Sequence, residues 1–156
     1  MNRNGRDPMA GLVGGLLGGV LFGAMMQMMG MMGMVAMLVG SESVGVGWIV
    51  HLAISAIFGG VYAVVLGPQT NSYARGALLG ALYGVVAWVV GALVLMPLGL
   101  GMSEMVFVIG QDQIMSLIGH LVFGVVLGAV YHAMSARTSP AGRVEARETN
   151  DRQPSR

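Results

Sequence analysis

Apolar residues run almost unbroken through four stretches of the chain, Met9 to Val39, Val46 to Leu66, Ala74 to Leu95 and Ile114 to Met134. Polar and charged residues collect between these stretches and at the two ends. A hydrocarbon layer about 30 Å thick is crossed by about 20 helical residues, and each stretch reaches that length. Backbone N–H and C=O groups find no water in such a layer, so a spanning segment must bond to itself as a helix or close into a barrel. A barrel would show short alternating segments, and none is present. The pattern predicts an all-α integral membrane four-helix bundle over residues 9–134, with helices at about 9–39, 46–66, 74–95 and 114–134. Residues 1–8 and 135–156 are expected to be cytoplasmic tails, the second disordered and rich in Arg, Glu, Ser and Thr. Pro97 is expected to end the third helix, because proline pushes the residue before it out of helical geometry. The connection from Met96 to Gln113, with apolar Val106 to Ile109, should dip back against the membrane surface.

Arg3 and Arg6 ahead of an apolar run also describe a secretory signal. The apolar part of such a signal is about 7–15 residues long and ends in a small-residue cleavage site. This run continues for 31 residues without a clear site, which favours a retained first helix.

Composition and charge then narrow the function classes. The chain has 156 residues, 55% of them hydrophobic and 10% charged, with 26 glycines, 15 methionines and no cysteine. Soluble chains carry about 25% charge, so the balance agrees with a lipid solvent. Without cysteine, disulfides, zinc thiolates and cysteine nucleophiles are excluded. The net charge of +1 offers no basic face for nucleic acid. Between Pro8 and Ala136 the only formal charges are Glu42, Arg75, Glu104 and Asp112. All the arginines precede the first stretch, follow the fourth or, as Arg75, stand at the very start of the third beside the second connection, whereas the other two connections are acidic. The positive-inside rule therefore places both termini and the connection between the second and third stretches in the cytoplasm.

The chain also repeats itself. Residues 11–20 align without gaps on residues 76–85 with five identities, and Ser41-Glu42 corresponds to Ser103-Glu104. His51, Gly59 and Tyr62 then match His120, Gly128 and Tyr131. Gly and Val matches come cheaply here, but the chain has only three His and four Tyr. The repeat implies two parallel helix-pair units related by a pseudo-two-fold axis along the membrane normal, which would put His51 and His120 at one depth. Eleven residues separate each His from its Tyr, a net rotation of about 20°, so each pair shares a helix face.

Ionisable groups within a membrane helix are costly and tend to be functional, which makes His51 and His120, with Tyr62 and Tyr131 below them, the candidate site. Three roles compete: hydrogen bonding to a neighbouring helix, axial ligation of haem b, and a metal site. The metal site would be copper bound by His51 and His120 with Glu42, Glu104, Met37 or Met102. Met96 and Met105 lie near the same end, and eight methionines crowd residues 25–37, where flexible apolar packing is the plain explanation. His132 lies at the cytoplasmic end and has no repeat partner. Gly11, Gly15, Gly19 and Gly23, and Gly76, Gly80 and Gly84 in the matching helix, recur every four residues. With Gly128 they are expected to let helices pack closely.

No catalytic constellation emerges, so a non-enzymatic accessory or structural membrane component is expected, with the lipid bilayer, a homo-oligomer or a larger membrane complex as partners. A small transporter or channel subunit is a further alternative, weakened by the scarcity of polar residues along any path. Residues 88–97 (Trp-Val-Val-Gly-Ala-Leu-Val-Leu-Met-Pro) and 116–124 (Ser-Leu-Ile-Gly-His-Leu-Val-Phe-Gly) resemble segments of small uncharacterised prokaryotic four-helix integral membrane proteins. The resemblance implies the four-helix architecture and no particular activity.

Overall fold

The structure, a computed structural model, describes residues 6–138. Within them the chain is all-helical without strands, and four helices are long and apolar enough to cross a membrane: Pro8–Met28, Val44–Val65, Tyr73–Gly99 and Gln111–Ala136. At 1.5 Å per residue the shortest, of 21 residues, is about 31 Å long, sufficient for a hydrocarbon core.

Helix α1 (Pro8–Met28) begins where Asp7 Oδ1 accepts the Ala10 N–H at 3.1 Å and proline occupies the first turn. The single first helix expected over 9–39 is instead broken. Gly30 adopts φ +71°, α1 stops at Met28, and a short α2 (Met32–Met37) follows. The left-handed turn suits glycine because no Cβ opposes it. Met32, Val35 and Ala36 of α2 are buried, and Met32 lies with its carbonyl against Gly47 at the start of α3 (Val44–Val65).

The third span starts with Ser72 Oγ accepting the Arg75 N–H at 3.2 Å. Helix α4 (Tyr73–Ala87) widens into a π-helical stretch, Trp88–Leu95, where Met96 N–H reaches back five residues to the Gly91 carbonyl. Contrary to expectation Pro97 does not end the helix. It falls in the first turn of α5 (Met96–Gly99), where its fixed φ is compatible with helix. The fourth span, α6 (Gln111–Thr138), is longer at both ends than expected. Residues 135–138 are therefore helical rather than tail, and the remainder of that tail, like residues 1–5, lies outside the described residues.

Helix α1 packs on both α3 and α6, and α6 packs also on α4. Three glycine registers make these contacts. Between α1 and α3, Gly11 lies on the Gly59 carbonyl and Gly15 on the backbone of Ser55 and Gly59, while a Cβ on Gly19 would come within 2.5 Å of Ser55 Oγ. Gly23 continues the row, with the Trp48 ring and His51 over it. Between α4 and α6, Gly76 lies on Gly128, Gly80 on Gly124 and Gly84 on the His120 carbonyl. Between α1 and α6, a Cβ on Gly14 would meet the Leu127 carbonyl at 2.9 Å, and one on Gly18 the Phe123 carbonyl at 2.7 Å. The remaining side, α3 facing α4, is bridged by aromatic side chains: Tyr83 of α4 donates its hydroxyl to the Phe58 carbonyl at 2.8 Å and meets the Tyr62 ring edge-on. Large apolar residues such as Ile49, Ile57, Leu78 and Val86 cover the outside.

Candidate functional site

The two sequence-matched pairs both lie in the interior, at opposite ends of it. Near the acidic connections, Phe22 of α1 contacts both imidazoles. Its ring centroid is 5.4 Å from that of His51 and 4.6 Å from that of His120. Room for the Phe22 ring comes from Gly119, where any Cβ would collide with it. Trp48 flanks His51 edge-on at 6.3 Å and donates its indole N–H to Gln27 Oε1 at 3.2 Å.

A carbonyl oxygen can only accept, so the hydrogen bonds assign the imidazole protons. His51 Nε2 donates across the helix interface to the Gly19 carbonyl at 2.9 Å. Ser55 Oγ in turn donates to the His51 carbonyl at 2.8 Å, a turn back on the same helix. His120 behaves differently: its Nδ1 donates to the Ser116 carbonyl at 2.8 Å, within its own helix. The cause lies in the neighbouring glycines. At the α1–α3 contact the Ser55 side chain lies over Gly19, whose carbonyl takes the His51 imidazole. At the α4–α6 contact Gly124 replaces a side chain, and Gly84 seats directly on the His120 backbone.

Towards the arginine-bearing end, Tyr62 and Tyr131 are both fully buried, with ring centroids 5.6 Å apart and edge-on. Tyr62 Oη lies 3.0 Å from Thr70 Oγ1 and 3.4 Å from the Gly76 carbonyl, to which it donates. Tyr131 Oη accepts the Asp7 N–H at 3.0 Å and rests against Gly67. Chain entry, the 66–73 connection and the core are thereby tied to two hydroxyls. His132 stacks edge-on with Tyr73 at 4.6 Å, apart from the other histidines.

The candidate residues thus separate into two groups. His51 with His120, and Tyr62 with Tyr131, converge in the core, and the helix-packing glycines 11, 15, 19, 23, 76, 80, 84 and 128 all lie at interfaces. Glu42, Glu104, Met37 and Met102 are exposed at the loop end. Among the described residues no group of three or more His, Cys, Asp or Glu side chains is gathered that could hold a metal ion. The Phe22 ring packs against both imidazoles. Sequence reasoning missed Phe22, Trp48, Thr70 and Tyr83. For Phe22 one signal was available: it aligns with Ala87 in the repeat, so its bulk is a departure beside matched histidines.

The chain matches no family model, no curated protein and no solved structure.

Proposed function

We propose that this chain is a multi-pass integral membrane protein of a prokaryotic cytoplasmic membrane, acting as a non-enzymatic structural or accessory component within a homo-oligomer or larger membrane complex. Both termini and the 66–73 connection face the cytoplasm. One observation carries the structural role: the interior polar groups are engaged with one another and with backbone carbonyls, His51 on Gly19, His120 on Ser116 and Tyr62 on Thr70. A site evolved to turn over a substrate needs groups aimed at a cleft. These are taken up instead by the protein itself, His51 across a helix interface, His120 within its own helix and Tyr62 in the 66–73 connection.

The bundle is built from two parallel helix-pair repeats, α1 with α3 and α4 with α6. Support comes from contacts that follow the alignment: Gly11 seats on Gly59 as its counterpart Gly76 seats on Gly128.

Purification in mild detergent after membrane fractionation tests the proposal. Extraction only by detergent, in a particle larger than one chain, is expected. A strictly monomeric, partnerless particle overturns the accessory role, and a Soret band or stoichiometric copper overturns it in favour of a cofactor protein. Because the chain has no native cysteine, single-cysteine variants at Gln69 and Ser103 report sidedness cleanly. Labelling of Gln69→Cys from outside intact cells would reverse the assigned topology.

A further inference from the structure

An unusual backbone connection shapes the loop between the third and fourth spans. In a regular helix the Leu93 carbonyl would accept from the N–H four residues on, but that residue is Pro97, which has none. Leu93 is buried, so its carbonyl cannot turn to water for a partner. The structure supplies the Phe107 N–H at 3.1 Å, brought back from ten residues beyond the proline. Phe107 meets this bond at φ +60°, a conformation that costs a bulky side chain energy and is otherwise held here by glycines 30, 40 and 101. The result is that Phe107, Val108 and Ile109 stand 62%, 44% and 58% exposed, with Leu98 and Met102 exposed beside them.

We propose that Phe107, Val108 and Ile109 form a lipid anchor, preformed by the Pro97-induced bond to Leu93, that inserts into the interfacial region of the leaflet at the acidic-loop end. This rests on the membrane reading above. A lipid partner fits on three counts. Leu95 and Ile114, towards the ends of the flanking spans that this loop joins, are exposed apolar residues as well. Phe107 supplies the kind of large apolar side chain that buries at the headgroup–acyl boundary. The only charge between Pro97 and Ile109 is Glu104, so binding comes from apolar burial and not from attraction to anionic headgroups. A rigid, prepaid loop conformation also lowers the ordering cost of insertion.

The test uses the full chain in phosphatidylcholine vesicles, with and without phosphatidylglycerol, carrying single spin-labelled cysteines read by collision with oxygen and with a water-soluble nickel chelate. Val108→Cys is expected to favour oxygen over nickel, independently of salt and of the anionic lipid. Ile57→Cys, exposed in mid-span, is the buried-in-lipid reference, and Gln69→Cys the aqueous one. Nickel access at Val108 equal to that at Gln69, with Ile57 protected, overturns the anchor while leaving the membrane reading intact. Nickel access at Ile57 as well overturns both. Protection at Val108 that grows with the protein-to-lipid ratio assigns the patch to a second copy and overturns lipid as its partner. Pro97→Ala returns an N–H to Leu93, and the Val108 label should then become more mobile and more open to nickel. An unchanged label refutes the role of Pro97.

Discussion

Glycine-to-alanine substitution at Gly80 and at Gly60 should move stability in opposite directions although both residues are helical. Alanine gains about 0.8–1.0 kcal/mol over glycine in a helix interior by intrinsic propensity. At Gly60 nothing lies within 4 Å of the added carbon, so that gain stands alone. At Gly80 the carbon would fall on the Gly124 carbonyl oxygen, with the carbonyl carbon at 2.7 Å and the Gly128 nitrogen at 3.3 Å. These are backbone atoms and cannot rotate away, so α4 and α6 must separate. Separation also loosens the Gly76–Gly128 and Gly84–His120 seats on the same interface, and overpacking of this kind costs about 1–3 kcal/mol before the propensity gain is subtracted. For a chain of this size 1 kcal/mol moves Tm by about 2–4 °C. Gly60→Ala is therefore expected to raise Tm in detergent by a few degrees and Gly80→Ala, at a net cost of up to about 2 kcal/mol, to lower it by up to several degrees. Circular dichroism during heating, repeated with a denaturant titration, reads both. Equal shifts of the same sign would refute the backbone contact between α4 and α6.

Four further outcomes follow from the same contacts. His51→Ala removes a donor shared between two helices, while His120→Ala removes one that serves its own helix, so His51→Ala should be the costlier, by about 1–3 kcal/mol for the stranded Gly19 carbonyl; comparable losses in the same unfolding assay would contradict the assignment. Phe22→Ala should cost about 3–5 kcal/mol as a large core truncation. Gly119→Ala, which drives a methyl into the Phe22 ring, should be partly rescued by Phe22→Leu, and additive losses in that double-mutant cycle would count against the contact. Tyr83→Phe, which deletes the hydroxyl bridging α4 to the Phe58 carbonyl, should cost about 1 kcal/mol with little change in helix content.

The four long helices could be read from the chain because each is a nearly unbroken apolar run of the length a bilayer-crossing helix needs. The break at Met29–Met31 was illegible for a corresponding reason. Methionine is a good helix former, and Gly30 is one of 26 glycines, so nothing local marks the residue that must turn left-handed. Pro97 misled in the other direction, since its compatibility with the first turn of α5 depends on the preceding π-helical stretch, which no residue pattern announces. In the candidate site the rarity of His and Tyr pointed to the interior, where both pairs lie. Glu42, Glu104, Met37 and Met102 were grouped with the histidines by approximate depth alone, and depth says nothing of direction; all four side chains are exposed. Phe22 offers no polar atom to flag; beyond its mismatch with Ala87 in the repeat, its role emerges from contacts distant in sequence.

The proposed duplication also explains why the bundle is lopsided. A strict two-fold axis would make the α1–α6 contact equivalent to the contact of α4 with α3. Gly14 and Gly18, which let α1 close on Leu127 and Phe123 of α6, align with Leu79 and Tyr83 of α4. Gly119, which admits Phe22, aligns with Val50. Every small residue that closes one side thus has a bulky counterpart on the other, and α4 meets α3 through the Tyr83 and Tyr62 rings instead of through backbone. Within each helix pair, by contrast, the glycines at aligned positions 11 and 76, 15 and 80, and 19 and 84 are kept in both copies. On the proposed duplication, those three glycines of each pair are common to both copies, whereas Gly23 and Ser55 answer to Trp88 and Gly124, and positions 14, 18 and 119 between the pairs all differ from their counterparts. On that logic the reciprocal exchange has a direction: Gly18→Tyr should abolish assembly by forcing a ring into the Phe123 carbonyl, while Tyr83→Gly should leave a folded bundle with a looser α3–α4 side. Retention of helical content and particle size by Gly18→Tyr in detergent would show that the closed seam is not built on Gly18.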